Sequence, residues 1–241
     1  MRLLLVRHGD PDYEIDGLTE AGKREAALLV PRLAPLPVKD YYVSPLGRAR
    51  ATAEPTLAAA GRTAEVCDWL REFAPRIIRP DSDHPYCCWD WLPADWTADP
   101  RFLDADHWFD NERMQAGGVR KEYEWVTGEL DKLLAEHGYV RDGRIYRVER
   151  PNEDTLVFFC HFGVSCVLLS HLLNVSPMVL WHGFCAAPGS VTTVTTEERR
   201  AGVASFRVNA FGDISHLYAA GVGPSFAARF CEVHGNGDRE D

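Results

Sequence analysis

Three short stretches hold residue types suited to handling a phosphoryl group. The first is Arg7-His8-Gly9, which ends an apolar run. The second runs from Ser44 to Ala53 and places Arg48 in the opening turn of an Ala-rich helical pattern. The third is His161, between Cys160 and Phe162-Gly163, after the most apolar segment of the chain. Imidazole is a competent nucleophile near neutral pH because much of it is unprotonated there. Guanidinium is the planar fork that matches phosphate oxygens and neutralises charge during transfer. Two histidines and two arginines are therefore the inventory of a phosphate pocket. Each part alone has an ordinary reading, since most histidines after buried strands are structural and most arginines are solvated. Gly9 admits a close backbone approach or a left-handed turn.

Those residues need elements to bring them together. Arg2 to Val6, 40–44 and Thr155 to Cys160 read as buried strands, with 63–67 as a weaker one. A helical pattern follows each of the first two, from Thr19 (a candidate N-cap) to about Leu33 and from Pro45 to about Ala60. Further helices are expected over 119–137 and 161–173. Segment 144–149 reads as a strand, and 190–196 and 203–209 as an antiparallel pair. Strands alternating with helices imply an α/β three-layer sandwich with a mostly parallel central sheet flanked by helices. Ligands of such sheets sit at the carboxyl ends of the strands, where Arg7-His8, Ser44 to Arg48 and His161 all fall.

Between about 74 and 118 the pattern breaks. Trp89, Trp91, Trp96 and Trp108 stand there among prolines and aspartates. About 45 residues make a poor independent core, so an aromatic-rich insertion of loops and short helices is expected rather than a second domain. It is either a lid that selects an apolar, aromatic or sugar-like leaving group, or a set of indoles packed under a long loop. His84 and His107 within it read as solvated. The domain expectation is one unit over 1–233 with a disordered tail at 234–241.

Composition narrows the partners. The 241 residues carry a formal net charge of −10, from 26 basic and 36 acidic side chains. Such a surface repels polyanions, so nucleic acid is not an expected partner. No run of about 18 apolar residues and no signal-peptide core stand in the sequence, which gives an expectation of a cytoplasmic protein without a membrane partner. The 7 cysteines (Cys67, Cys87, Cys88, Cys160, Cys166, Cys185 and Cys231) lack C-x-x-C spacing and read as reduced thiols. Oligomeric state is not legible.

Taken together, Leu4-Leu5-Val6-Arg7-His8-Gly9, Leu18-Thr19-Glu20-Ala21-Gly22, Ser44-Pro45-Leu46-Gly47-Arg48-Ala49 with Thr52-Ala53, Leu70-Arg71-Glu72, Val157-Phe158-Phe159-Cys160-His161 and Gly212-Asp213-Ile214-Ser215-His216-Leu217 resemble the histidine phosphatase superfamily, in its phosphoglycerate-mutase-like branch. The resemblance spans most of the chain outside about 74–118 and the tail. It implies that His8 carries the phosphoryl group as phosphohistidine, that Arg7, Arg48, His161 and Gly9 surround the phosphate, and that Glu72 serves as acid and then base. It also implies no metal and no organic cofactor.

Two departures stand out. The family places Gly directly after its second histidine, whereas Phe162 intervenes here before Gly163. Leu70-Arg71-Glu72 runs into Phe73-Ala74-Pro75 instead of a Gly-containing turn, so Asp10, Asp81 and Asp83 stand as alternative acids. A mutase needs extra basic residues for a second anionic group. Arg76, Arg79, Arg101 and Arg113 are scattered through the insertion without an adjacent pair. The expected activity is hydrolysis of a small phosphomonoester, with a phosphoglycerate-type mutase or phosphotransferase and a non-catalytic phosphate-binding module as alternatives.

Overall fold

In the computed structural model, residues 1–225 are described. The expected tail at 234–241 and Cys231 lie outside them. Eight strands form one sheet in the order Glu65–Val66, Val38–Val43, Thr155–Cys160, Arg2–Arg7, Val191–Arg200, Val203–Asp213, Ile145–Val148 and Tyr139–Asp142.

The α/β sandwich expected from sequence is present, but its sheet is mixed. The pairings from Glu65–Val66 across to Arg2–Arg7 are parallel, and those beyond Arg2–Arg7 are antiparallel. A mostly parallel sheet is thus a correct description of one half only. The cause lies in the connections, because tight turns can join only antiparallel neighbours. Gly143 (φ 58°) and Gly202 (φ 81°) make two such turns in left-handed backbone that few side chains tolerate. The strand Tyr139–Asp142, the helix Pro177–Gly183 and the short helix Ser215–Ala219 are additions to the sequence-derived elements.

Alternation along the central strands assigns each side chain to a layer. Leu3 and Leu5 join the larger core with Leu156 and Phe158, while Leu4 and Val6 join the smaller with Val157 and Phe159. Helices Glu20–Leu33 and Gly47–Ala60 cover the smaller core through Leu29, Leu33, Ala49 and Ala53. Helices Val119–Glu136 and Phe162–Leu173 cover the larger. Burial on both faces explains why Thr155–Cys160 reads as a solid apolar run. Thr19 caps its helix as expected, its hydroxyl accepting from Gly22 N at 3.1 Å.

The insertion consists of a hairpin, Arg76–Ile78 with Pro85–Cys87, followed by short helical turns. Its Trp91, Phe102, Trp108, Phe109 and Met114 belong to the larger core. Trp108 meets Trp181 and Tyr123 edge-on at 5.5 and 5.3 Å. The packing reading therefore accounts for Trp91 and Trp108. Trp96 stacks on His182 at 4.9 Å.

Candidate functional site

Register delivers the site. Arg7 pairs with Cys160, and Val43 with Phe159, so three parallel strands end level. His8, Ser44 and His161 leave those ends side by side, tied by His8 N to Cys160 O (3.0 Å) and Ser44 N to Phe159 O (2.9 Å). The rings of His8 and His161 stand with centroids 5.0 Å apart.

His8 is buried, and its Nδ1 lies 2.7 Å from the carbonyl oxygen of Gly9. A carbonyl only accepts, so Nδ1 carries the proton and Nε2 keeps its lone pair for an electrophile. Burial, reinforced by the charge of Arg7, brings the imidazole down to about 3. His161 is buried too, and burial, the neighbouring His8 and the two arginines hold its pKa well below the ordinary value. Its Nε2 meets Ser44 Oγ at 2.7 Å, while Nδ1 is buried without a hydrogen-bond partner. Both rings are neutral at physiological pH.

The arginines supply the charge. Arg7 is buried, donates Nη1–H to Ala186 O and has its guanidinium 5.9 Å from the Phe162 ring. Arg48 comes from the first turn of helix Gly47–Ala60, as expected, though that helix begins two residues after Pro45. Its Nη1 donates to Asp16 Oδ1 at 2.6 Å, and its Nε is buried without a partner.

Gly9 is where a close backbone approach is needed. A Cβ there would lie 2.6 Å from Gly22 O, and the Gly9 N–H already donates to Thr52 Oγ1 at 3.0 Å. The approach is therefore to the helix Glu20–Leu33, and the Gly9 amide hydrogen is spoken for within the protein.

Glu72 reaches the same end of the sheet from the other side. Its Oε1 accepts from Phe73 N (2.8 Å) and Val164 N (2.9 Å), and its Oε2 from Gly163 N (3.3 Å). The carboxylate thus sits on the N-terminus of helix Phe162–Leu173, where exposed N–H groups favour an anion. Burial raises its pKa, opposed by those N–H groups and by Arg7, so protonation moves toward neutral pH. A Cβ on Gly163 would lie 2.6 Å from Glu72 Oε1 and 2.8 Å from Trp89 Nε1. The one-residue displacement of this glycine is therefore matched to the seat of Glu72. A cavity of about 270 Å³ adjoins Glu72, walled by Arg71, Pro75, Gly118 and Glu122. Two larger grooves, of about 510 and 590 Å³, are lined by neither His8 nor His161.

Two of the alternative acids are engaged by other side chains. Asp10 accepts from the hydroxyls of Thr19 (2.7 Å) and Ser225. Asp81 pairs with Arg79 at 2.9 Å, and Asp83 is exposed. Sequence reasoning assigned no role to Ser44, Asp16 or Thr52. Ser44 ends the strand expected at 40–44, so its position is legible in the sequence. Asp16 carries no signal, being one acid among several in a turn. The C-terminal signature at 212–217 does structural work: Arg32 bonds Asp213 at 2.7 Å and His216 Nδ1 at 3.0 Å. Among the described residues no group of three or more His, Cys, Asp or Glu is arranged to hold a metal ion, and no helix is long and apolar enough to cross a membrane.

Residues 3–78 match the family model of the histidine phosphatase superfamily (branch 1). The resemblance to the histidine phosphatase superfamily holds. That stretch contains Arg7, His8, Arg48 and Glu72. Solved structures align with nearly the whole chain. A phosphoserine phosphatase variant from Entamoeba histolytica, in complex with phosphoserine, is 18% identical with a TM-score of 0.58, covering 90% of this chain and 98% of its own. A mycobacterial glucosyl-3-phosphoglycerate phosphatase in complex with VO3 is 19% identical with a TM-score of 0.54, covering 87% and 98%. Bacillus stearothermophilus YhfR is 20% identical with a TM-score of 0.55, covering 90% and 98%. At those identities the likeness speaks for the fold. No curated protein matches the chain significantly.

Proposed function

We propose that this histidine phosphatase relative is a metal-independent phosphomonoesterase that works through a phosphohistidine at His8. The observation that carries the reading is the bond between His8 Nδ1 and Gly9 O, which leaves Nε2 as a neutral nucleophile beside two guanidinium groups. Nε2 attacks phosphorus in line, and the bond from phosphorus to the ester oxygen breaks. Arg7, Arg48 and His161 balance charge on the phosphoryl oxygens. Glu72 in its protonated form gives its proton to the departing oxygen. As carboxylate it then takes a proton from the water that attacks the phosphohistidine, releasing phosphate and restoring His8.

Hydrolysis is favoured over mutase chemistry by the fate of the arginines in the insertion. Arg79 is bound by Asp81 and Asp90, Arg101 by Asp99 and Glu112, and Arg113 donates to Ile78 O at 2.7 Å. Three of the four arginines there, all but Arg76, are thus engaged within the insertion rather than held ready for a second anionic group. The reading is tested by phosphate release from a panel of small phosphomonoesters in EDTA, with His8→Ala alongside. Release by the wild type alone supports it. Release by His8→Ala removes the covalent step, and an isomerised product without free phosphate selects the mutase.

A further inference from the structure

The turn between Pro11–Asp12 and Gly17–Leu18 touches Arg48 from two sides. Asp16 Oδ1 accepts from Arg48 Nη1 at 2.6 Å, while Asp16 Oδ2 accepts from Gly47 N at 2.6 Å. The Tyr13 ring lies 5.4 Å from the same guanidinium. One carboxylate therefore spans the first amide of a helix and the side chain of the next residue.

Two further features belong to this grip. Asp16 is held at φ 48°, in the left-handed region that costs an L residue energy unless its surroundings hold it there. A Cβ on Gly47 would lie 2.1 Å from Asp16 O, so the turn docks where only glycine leaves room. Burial alone would raise the Asp16 carboxyl, but the Gly47 amide and Arg48 outweigh it and keep the group ionised.

A guanidinium has two edges that can each bind two oxygens, one of them formed by Nε and Nη2. With Nη1 held by Asp16, the Nε edge remains, and Nε is buried without a partner. The Gly47 amide is likewise occupied, so the start of this helix has one fewer N–H for an anion. We infer that Asp16 is a positioning residue for phosphoryl transfer: it anchors Arg48 by Nη1 and turns the Nε and Nη2 edge toward the phosphoryl oxygens. This deepens the phosphatase reading and rests on it.

The test measures kcat and KM on p-nitrophenyl phosphate, inorganic phosphate affinity by calorimetry and thermal melting. The proteins are wild type, Asp16→Asn, Asp16→Ala, Arg48→Ala and Asp16→Ala/Arg48→Ala. Asparagine retains an oxygen for the Gly47 amide but cannot offer Arg48 a carboxylate. Asp16→Asn is expected to melt near the wild type while losing about a hundredfold in kcat/KM, the scale of a group displaced by about 1 Å. Phosphate affinity falls with it. In the Arg48→Ala background, Asp16→Ala costs nothing further, because Asp16 acts through Arg48.

Wild-type kinetics in Asp16→Asn, tighter phosphate binding in that variant, or losses that add to those of Arg48→Ala each overturn the inference while leaving the phosphatase reading intact. A wild type that binds phosphate without releasing it from any ester sinks the phosphatase reading. The affinities then decide the grip on Arg48 by themselves. A wild type that neither binds phosphate nor turns over overturns both.

Discussion

Glu72 and Gly163 are fitted to one another: the Glu72 carboxylate occupies the space that any side chain at 163 would enter, 2.6 Å from the position of its Cβ. Gly163→Ala is therefore expected to push Glu72 off the helix amides. Its rate loss should be largest for esters with poor leaving groups, about a hundredfold as for a displaced general acid, and small for p-nitrophenyl phosphate. A plot of log kcat/KM against leaving-group pKa checks this, and a uniform loss across the series counts against the acid role.

On the proposed mechanism, Arg48→Ala removes donors that meet developing charge on the phosphoryl group. Loss of one such donor costs about 3 kcal/mol of transition-state stabilisation, so kcat/KM should fall about 10²- to 10³-fold. Arg48→Lys keeps the charge without the fork and should recover only part of it. Full recovery by lysine would show that charge alone matters.

The buried histidines give stability an acid limb. His8 titrates near 3 in the fold because of burial and Arg7, against about 6.5 in an unfolded chain. Between those values the unfolded chain binds the extra proton, so stability is full above about pH 6.5 and is lost as pH falls toward 3. His161, also lowered by burial, adds in the same direction. Urea midpoints at pH 7 and pH 4.5 should differ less in His8→Ala than in the wild type. An unchanged difference would mean that the acid limb arises elsewhere.

Trp108 is fully buried where the insertion meets Tyr123 and Trp181. Trp108→Ala is expected to cost about 3–5 kcal/mol, the range for emptying a large aromatic site. A loss below about 1 kcal/mol, read from denaturant midpoints, would show that the insertion is only loosely joined to the core.

Much of this molecule is legible in its sequence because local pattern and burial agree. Thr155–Cys160 matches its expected bounds, since a strand covered on both faces leaves an unbroken apolar run. The helix after Thr19 matches because its cap and period coincide. His8, His161 and Arg48 are found together because each follows a strand end, and the strand ends are level. The antiparallel half is harder to read: Tyr139–Asp142 is four residues long and owes its place to one neighbouring strand. Asp16 escapes altogether. Its partners, Gly47 and Arg48, lie some thirty positions away, and nothing local distinguishes it from Asp10 or Asp12.

The place of Arg2–Arg7 in the sheet bears on how the chain reaches its native state. This first strand lies between Thr155–Cys160 and Val191–Arg200, so both its neighbours come from the far end of the sequence. During synthesis its edges wait without partners until most of the protein has been made. Pairings across such spans close slowly and expose apolar strands meanwhile. The strand that brings His8 to the site thus gains its two neighbours only after Thr155–Cys160 and then Val191–Arg200 have been made.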